Sequence, residues 1–227
     1  MKLVLPHKLF VLKKLVCMTG CVVVGLMLVA ISSFGQSLNN IESNSIEFKE
    51  SDYPNYQIVG VYNPETGQTE WKQTDYPNYT IAGVYNPDTK SIEWKQSEWP
   101  RYDISGVYNP ISKIIVWKQS SAKRYTISGV YNPAIKEIEW KESLWPNYEI
   151  MGVYNEALKV VEWKQSSYPR YDVHGVYNPE KQKVEWNETQ YPNYELTGAY
   201  DPELKKVVWK EASQPHYSIA VVRLAQE

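Results

Sequence analysis

The sequence predicts an all-β protein, an antiparallel meander of tandem 23-residue β-hairpin repeats with about 16 short strands. The first observation behind this class is a glycine that recurs at a fixed step of 23 residues, at Gly60, Gly83, Gly106, Gly129, Gly152, Gly175 and Gly198. The second is a tryptophan with the same step, at Trp71, Trp94, Trp117, Trp140, Trp163, Trp186 and Trp209. A strict period without insertions indicates units that bury their apolar surface against their neighbours.

The N-terminal 35 residues differ in kind from the repeats. They begin with four lysines and no acidic residue, and an apolar run covers residues 15–31. Ser33-Phe34-Gly35 then offers small residues where a signal peptidase cuts. We therefore expect residues 1–35 to be a signal peptide, with a membrane anchor through residues 15–31 as the alternative. In both cases the repeats are predicted to be extracytoplasmic, either secreted or at the cell surface or in a periplasm.

The rest of the chain divides into a linker and an array. Residues 36–45 are rich in Asn and Ser and are interpreted as a polar linker. Residues 46–227 are the repeat array, with a half repeat at 46–52, seven repeats at 53–213 and a half repeat at 214–227.

Charge and cysteine content narrow the range of partners. Four of the 24 basic side chains and none of the 26 acidic ones lie in residues 1–35, so the remainder carries 20 and 26, a formal charge of −6. This balance speaks against nucleic acid as a partner, and a membrane is expected only through residues 15–31 if they are not cleaved. Cys17 and Cys21 both lie in the N-terminal segment, so disulfides are not expected to stabilise the array.

Each repeat is interpreted as one β-hairpin. In the second repeat, residues 79–86 and 91–96 are rich in β-branched and aromatic residues, and Pro87-Asp88-Thr89-Lys90 lies between them. Proline fixes φ at the start of such a loop and a polar residue or Gly closes it, so a four-residue hairpin turn is predicted. This turn places Gly83 opposite Trp94, and the glycine leaves room for the indole ring to lie across the strand.

The connection between successive repeats is expected to continue the same sheet. A five-residue link, 97–101, would place Trp94 opposite Ile104 and would keep every Trp on one face. On the other face this register pairs opposite charges across strands, namely Lys95 with Asp103, Lys141 with Glu149 and Lys164 with Asp172.

The two half repeats suggest how the array ends. Residues 46–51 correspond to the second strand of a repeat with Phe48 in place of Trp, and residues 217–224 correspond to the first strand with Val221 in place of Gly. A closed ring in which these ends pair is one predicted architecture, and an open coiled sheet, or hairpin solenoid, is another. A β-solenoid with one coil per repeat is less favoured because it stacks like charges, and the short strands disfavour an outer-membrane barrel.

No catalytic constellation, metal site or cofactor motif is visible, so a non-enzymatic protein without cofactors is expected. His174 occupies a variable repeat position and is interpreted as a surface residue. A repeated carboxylate is interpreted as a solvated face beside lysines, at Glu70, Glu93, Glu139, Glu162 and Glu185. An asparagine that follows a recurring Tyr in each of the first six repeats is expected to accept hydrogen bonds from the backbone of its own turn, at Asn63, Asn86, Asn109, Asn132, Asn155 and Asn178.

The candidate binding residues are aromatic side chains in the connections between hairpins, each followed by proline, at Tyr53, Tyr76, Trp99, Trp145, Tyr168 and Tyr191. The series breaks at Ala122. Trp and Tyr are enriched where proteins contact sugars and partner surfaces, although these residues could also pack the loop onto the sheet edge. The repeated Gly and Trp are interpreted as structural.

The expected function is an exported, non-enzymatic repeat scaffold that binds a polysaccharide or a protein multivalently. The alternative is a structural or self-associating protein of the cell surface or matrix. The 23-residue period and the hairpin unit resemble MORN-type repeats, which form long antiparallel sheets, but the Gly-x-Gly pairs of that family are missing here.

Overall fold

The computed structural model of this protein describes residues 46–223, which contain sixteen strands and no helix. The predicted signal peptide and linker, residues 1–45, lie outside the described residues. The strands in chain order are β1 (Ile46–Glu50), β2 (Ile58–Asn63), β3 (Gln68–Gln73), β4 (Ile81–Asn86), β5 (Ser91–Gln96), β6 (Ile104–Asn109), β7 (Ile114–Gln119), β8 (Ile127–Asn132), β9 (Glu137–Glu142), β10 (Ile150–Asn155), β11 (Val160–Gln165), β12 (Val173–Asn178), β13 (Lys183–Glu188), β14 (Leu196–Asp201), β15 (Lys206–Glu211) and β16 (Ile219–Arg223).

These strands form eight antiparallel hairpins, as the sequence predicts. Hairpins 1 to 7 join β2 with β3, β4 with β5 and so on to β14 with β15, and hairpin 8 joins β16 with β1. In hairpin 2, Asn86 pairs with Ser91, which leaves the predicted four-residue turn between them. Within the described residues no helix is long and apolar enough to cross a membrane.

The hairpin turn is fixed by the repeated asparagine and by a left-handed closing residue. The Asn86 side chain accepts a hydrogen bond from the backbone N–H of Asp88 at 3.0 Å, so the prediction that this asparagine bonds its own turn is confirmed. The fourth turn residue has positive φ, as at Gly67 (67°) and Lys90 (56°). The Asn86 amide also donates to Glu93 across the hairpin at 2.8 Å, a bond repeated in most other hairpins.

The register that places Gly opposite Trp is confirmed in all seven complete repeats. A Cβ atom added to Gly129 would lie 2.3 Å from Cζ3 of Trp140, and the other six glycines are equally close to their tryptophans. The indole is half-buried and covers the glycine backbone. In several hairpins the ammonium group of a lysine in the preceding hairpin lies over the indole, as Lys118 Nζ does at 5.8 Å from the Trp140 ring centroid.

The eight hairpins form a closed ring. Each even-numbered strand contacts the even-numbered strand of the next hairpin, and β16 contacts both β14 and β2. We therefore call the even-numbered strands inner and the odd-numbered strands outer. Hairpin 8 completes the ring with one strand from each end of the array, and Phe48 lies opposite Val221 where the repeats have Trp and Gly. The prediction that the two half repeats pair is thus confirmed, and the open coil is excluded.

The ring is not one continuous sheet, because each sheet contains two strands. The predicted pairing of Trp94 with Ile104 across the connection is therefore wrong. Seven residues, 97–103, separate β5 from β6. The inner strands have buried side chains on both faces, whereas outer strands such as β3 alternate between exposed and half-buried positions. Hairpins thus pack face against face around the axis, with the radial repetition of a β-propeller but two strands per unit instead of four.

Candidate functional site

An axial cavity of about 390 Å³ lies where the eight inner strands begin. Every hairpin contributes to its lining through the same few repeat positions, which include the last loop residues and the first strand residue. The volume falls in the range of small-molecule sites, roughly 300–1,000 Å³. The cavity therefore provides one site on the ring axis, built from eight equivalent but chemically different segments.

The outermost lining layer is a circle of eight residues with left-handed backbone, which we call the rim residues. They are Asn55, Asn78, Arg101, Arg124, Asn147, Arg170, Asn193 and His216. The backbone N–H of each rim residue donates to the carbonyl of the rim residue one hairpin earlier, at 2.5–2.9 Å, and Asn55 closes the circle by donating to His216. The mouth of the cavity is thus held by a continuous backbone hydrogen-bonded circle.

A buried hydroxyl follows every outer strand except β15, which is followed by Ala212, and it fixes the loop that leads to the rim. In hairpin 2, the Ser97 hydroxyl donates to the carbonyl of Trp99 at 3.1 Å and accepts from the N–H of Thr80 at 3.1 Å. Equivalent bonds occur at Ser120, Ser143 and Ser166. This role was not predicted, although a Ser or Thr recurs at seven of the eight equivalent positions with the same 23-residue step.

The second lining layer, which we call the polar layer, contains Gln57, Thr80, Asp103, Thr126, Glu149, Asp172, Glu195 and Ser218. Several of these side chains accept a hydrogen bond from the first backbone N–H of the next inner strand. Gln57 accepts from Ile81 at 2.6 Å, and Asp172 accepts from Leu196 at 2.7 Å. An amide and a carboxylate thus perform the same bridging task between neighbouring hairpins.

Four members of the polar layer are acidic, and burial raises their pKa values. Burial raises the pKa of Asp103 and Asp172 to about 7. Burial also raises the pKa of Glu149 and Glu195 well above the ordinary value, and the charge of Asp172 adds to both effects. Close to neutral pH Asp103 and Asp172 therefore change their protonation state with small changes in their surroundings.

The predicted cross-strand ion pairs of Asp103, Glu149 and Asp172 with lysines are wrong. These acids line the cavity, whereas Lys95 lies opposite Ala82 within its own hairpin. The error has a physical cause: the predicted pairing required a continuous sheet, and the loop instead turns these side chains toward the axis.

The prediction that His174 lies at the surface is also wrong, because this residue is only 6 % exposed. Burial lowers its pKa to about 4, so the imidazole is neutral at physiological pH. Its ring meets Trp209 edge-on at 6.2 Å, and its Nε2 atom has no hydrogen-bond partner among the described residues. His174 also lines the axial cavity.

The six predicted binding residues are exposed by 60–65 % and lie in the loops that lead to the rim. We call this set, Tyr53, Tyr76, Trp99, Trp145, Tyr168 and Tyr191, the aromatic crown. The four tyrosines of the crown each contact a second tyrosine three residues later, as Tyr168 does with Tyr171 at a centroid distance of 5.5 Å. The contact orients the crown residue but leaves most of its ring exposed.

The raised carboxyl pKa values predict a stability that falls as pH rises. A carboxyl whose pKa is higher in the folded state than in the unfolded chain stabilises the fold fully at pH values below the unfolded-state pKa. This contribution is lost as pH rises through the folded-state pKa. We expect urea unfolding to show a loss on the order of 1 kcal/mol between about pH 6.5 and 8. The double variant Asp103→Asn/Asp172→Asn should show a flatter profile.

The pH range of this experiment avoids the opposing contribution of His174. The lowered pKa of that histidine makes the fold less stable as pH falls below about 6.5, which is the ordinary pKa of an imidazole. A wild-type profile that does not fall between pH 6.5 and 8 would show that the buried carboxyls are already ionised in the folded protein.

The fold and the site thus define a class, namely a closed ring of eight two-stranded hairpins with an axial polar cavity and a crown of exposed aromatic side chains. No protein-family model, no curated protein and no solved structure matches this chain. Within the described residues, no group of three or more His, Cys, Asp or Glu side chains is placed to hold a metal ion.

Proposed function

We propose that this protein is an exported, non-enzymatic scaffold that binds a glycan polymer through the aromatic crown. The observation that supports this proposal most is the exposure of six large aromatic rings, one on each of six of the eight hairpins, on loops with fixed backbones. Exposed rings of this kind stack on the apolar faces of sugars and lose little side-chain entropy when they bind.

The loop geometry favours binding because it restricts the crown before any ligand arrives. The carbonyl of Trp145 accepts a hydrogen bond from the buried Ser143 hydroxyl at 3.2 Å, and the N–H of Tyr148 donates to the same carbonyl at 3.4 Å. A preorganised loop avoids much of the ordering cost of binding. Six similar weak sites on one ring also favour a repeating ligand, since a bound chain raises the local concentration of its next segment.

The test is glycan binding by the double variant Trp99→Ala/Trp145→Ala. We expect a glycan array to identify a polymer that binds the wild type, and we expect the variant to lose at least about tenfold in affinity for it. The double variant Ile111→Ala/Leu158→Ala is the matched control, because these side chains are equally exposed but lie in the hairpin turns. Equal losses in both variants, or an array without a binding polymer, would count against the proposal.

Self-association is the second candidate function, and one observation favours it. Each sheet contains two strands, so every outer strand keeps one edge without a strand partner. Unpaired edges can join copies of a protein, although exposed lysines such as Lys72 and Lys95 on these strands oppose such pairing. Light scattering separates the candidates, since a monomer over a wide concentration range contradicts self-association and is compatible with glycan binding.

A further inference from the structure

The acidic part of the polar layer suggests a second site, which does not depend on the aromatic crown. We propose that the axial cavity binds a small organic cation with a primary ammonium group, held by the carboxylates of Glu149, Asp172 and Glu195. These residues belong to the successive hairpins 5, 6 and 7, so they occupy one side of the cavity lining.

The eight hairpins provide an internal comparison, which shows that the fold does not require acids at these positions. Gln57 and Thr126 bridge to the next inner strand through their side chains at 2.6 and 3.1 Å, and they carry no charge. The carboxylate of Asp172 makes the same bond at 2.7 Å. Burying an ionisable group is costly unless a partner compensates it, so the acids need an explanation beyond backbone bridging.

Within residues 46–223, no cationic side chain forms an ion pair with these acids. The charges that act on the three carboxyls are other carboxylates, including Asp103, Glu188 and Glu211. The rim arginines line the same cavity, but within the described residues none of them forms an ion pair with a polar-layer acid. A bound cation would therefore neutralise buried carboxylates that have no cationic partner among the described residues.

Two buried polar atoms at this part of the ring also have no hydrogen-bond partner among the described residues. They are Oε2 of Glu195 and Nε2 of His174, and His174 is 6 % exposed. Because the buried imidazole is neutral, one of its ring nitrogens is an acceptor. An ammonium group has three N–H donors and can satisfy a carboxylate and further acceptors together.

The shape and lining of the cavity favour an organic cation. The candidate acceptors come from different hairpins around a volume of about 390 Å³, and within the described residues they are not grouped closely enough to hold a metal ion. The lining also includes aromatic residues, among them Tyr171 and Tyr194, whose ring faces attract ammonium groups. A short amine thus fits both the charge and the surface of the site.

The test is isothermal titration calorimetry of the chain without residues 1–35, with 1,4-diaminobutane and glucosamine as separate probes. We expect saturable 1:1 binding of at least one probe near pH 7.5. We also expect proton release, seen as heats that depend on the buffer, because the cation ionises carboxyls that burial keeps partly protonated. Binding of the diamine alone assigns the site to aliphatic amines, and binding of glucosamine alone assigns it to amino sugars.

The triple variant Glu149→Gln/Asp172→Asn/Glu195→Gln should bind the probe at least about tenfold more weakly. Amides keep the backbone bridges, as Gln57 does, so the ring should remain folded. Glu162→Gln is the matched control, since this outer-strand carboxylate is bonded by Asn155 at 2.5 Å and is not part of the cavity lining. If the triple variant does not fold, Glu195→Gln alone provides the comparison.

Three results would overturn the proposal. The first is no binding of either probe at about 10 mM, a concentration that reveals even very weak sites. The second is equal affinity in the wild type and in the amide variants. The third is complete competition by sodium or potassium chloride at the same concentration as the probe, which would show that any monovalent cation fills the site.

Discussion

Replacing Gly129 by Val should destabilise the ring by about 3 kcal/mol or more, because the new side chain collides with the Trp140 indole. Even a single Cβ atom would lie 2.3 Å from the ring, and the Lys118 ammonium also lies over the indole, 5.8 Å from its centroid. For a domain of this size the change corresponds to a melting temperature lower by roughly 6–12 °C. Differential scanning calorimetry measures it directly.

The closing hairpin suggests a compensating variant for this experiment, and Gly67 provides a control. The closing hairpin pairs Phe48 with Val221 at the same two positions, so Gly129→Val/Trp140→Phe should recover part of the lost stability. A Cβ atom added at Gly67 would have no neighbour within 4 Å, and Lys90 adopts the same left-handed conformation in the next hairpin. Gly67→Lys should therefore change stability by less than about 1 kcal/mol. If Gly129→Val is as stable as the wild type, the Trp ring does not depend on the glycine.

Deleting β1 should open the ring, and it is the second change with a large expected effect. A chain that begins at Ser51 should melt at least about 10 °C below a chain that begins at Ser45. The deletion removes the partner of β16, the Lys49 contact with Trp71 at 5.5 Å and the bond from the Ser213 N–H to Glu50 at 2.6 Å. Because β16 then has an unpaired edge, the shorter chain should also associate as its concentration increases.

A peptide of residues 45–51 provides the control for this deletion. It carries the complete missing strand, and strand addition to an open edge is a common mode of peptide binding. Added in excess, it should raise the melting temperature of the shortened chain and reduce its association, as seen by size-exclusion chromatography with light scattering. Equal melting temperatures for the two chains without peptide would mean that the hairpins are stable independently of ring closure.

The sequence predicts the hairpin well because the decisive contacts there are local. Gly83 and Trp94 are eleven residues apart, and the side chain of Asn86 determines the turn between them. A one-residue shift would place every Trp on the wrong face, so the pattern specifies one register. The half repeats also predict the pairing of the chain ends, since residues 46–51 and 217–224 complement each other as one hairpin.

The arrangement of hairpins around the axis was harder to predict, because it depends on contacts between repeats. One signal was available in the sequence: an inner strand such as Ile81–Asn86 is almost continuously apolar, which is typical of strands buried on both faces. A sheet with one solvent-exposed face does not explain this apolar strand. The left-handed rim, which turns Asp103 and Glu149 toward the axis, has no comparable signal because Asn, Arg and His all occupy it. The cavity therefore became visible only in three dimensions.

The pairing of β1 with β16 also bears on how such a ring can change during evolution. The array begins with an outer strand and ends with an inner strand, so its two ends remain complementary whatever number of whole repeats lies between them. Duplication or loss of one 23-residue unit in the gene leaves every hairpin and the closing pair in register. The angle between neighbouring hairpins, and not the closing strand, then decides whether a longer or shorter array can still form a circle. The number of hairpins in such a ring is thus determined by the contacts between neighbouring hairpins, such as the contact of Lys118 with Trp140.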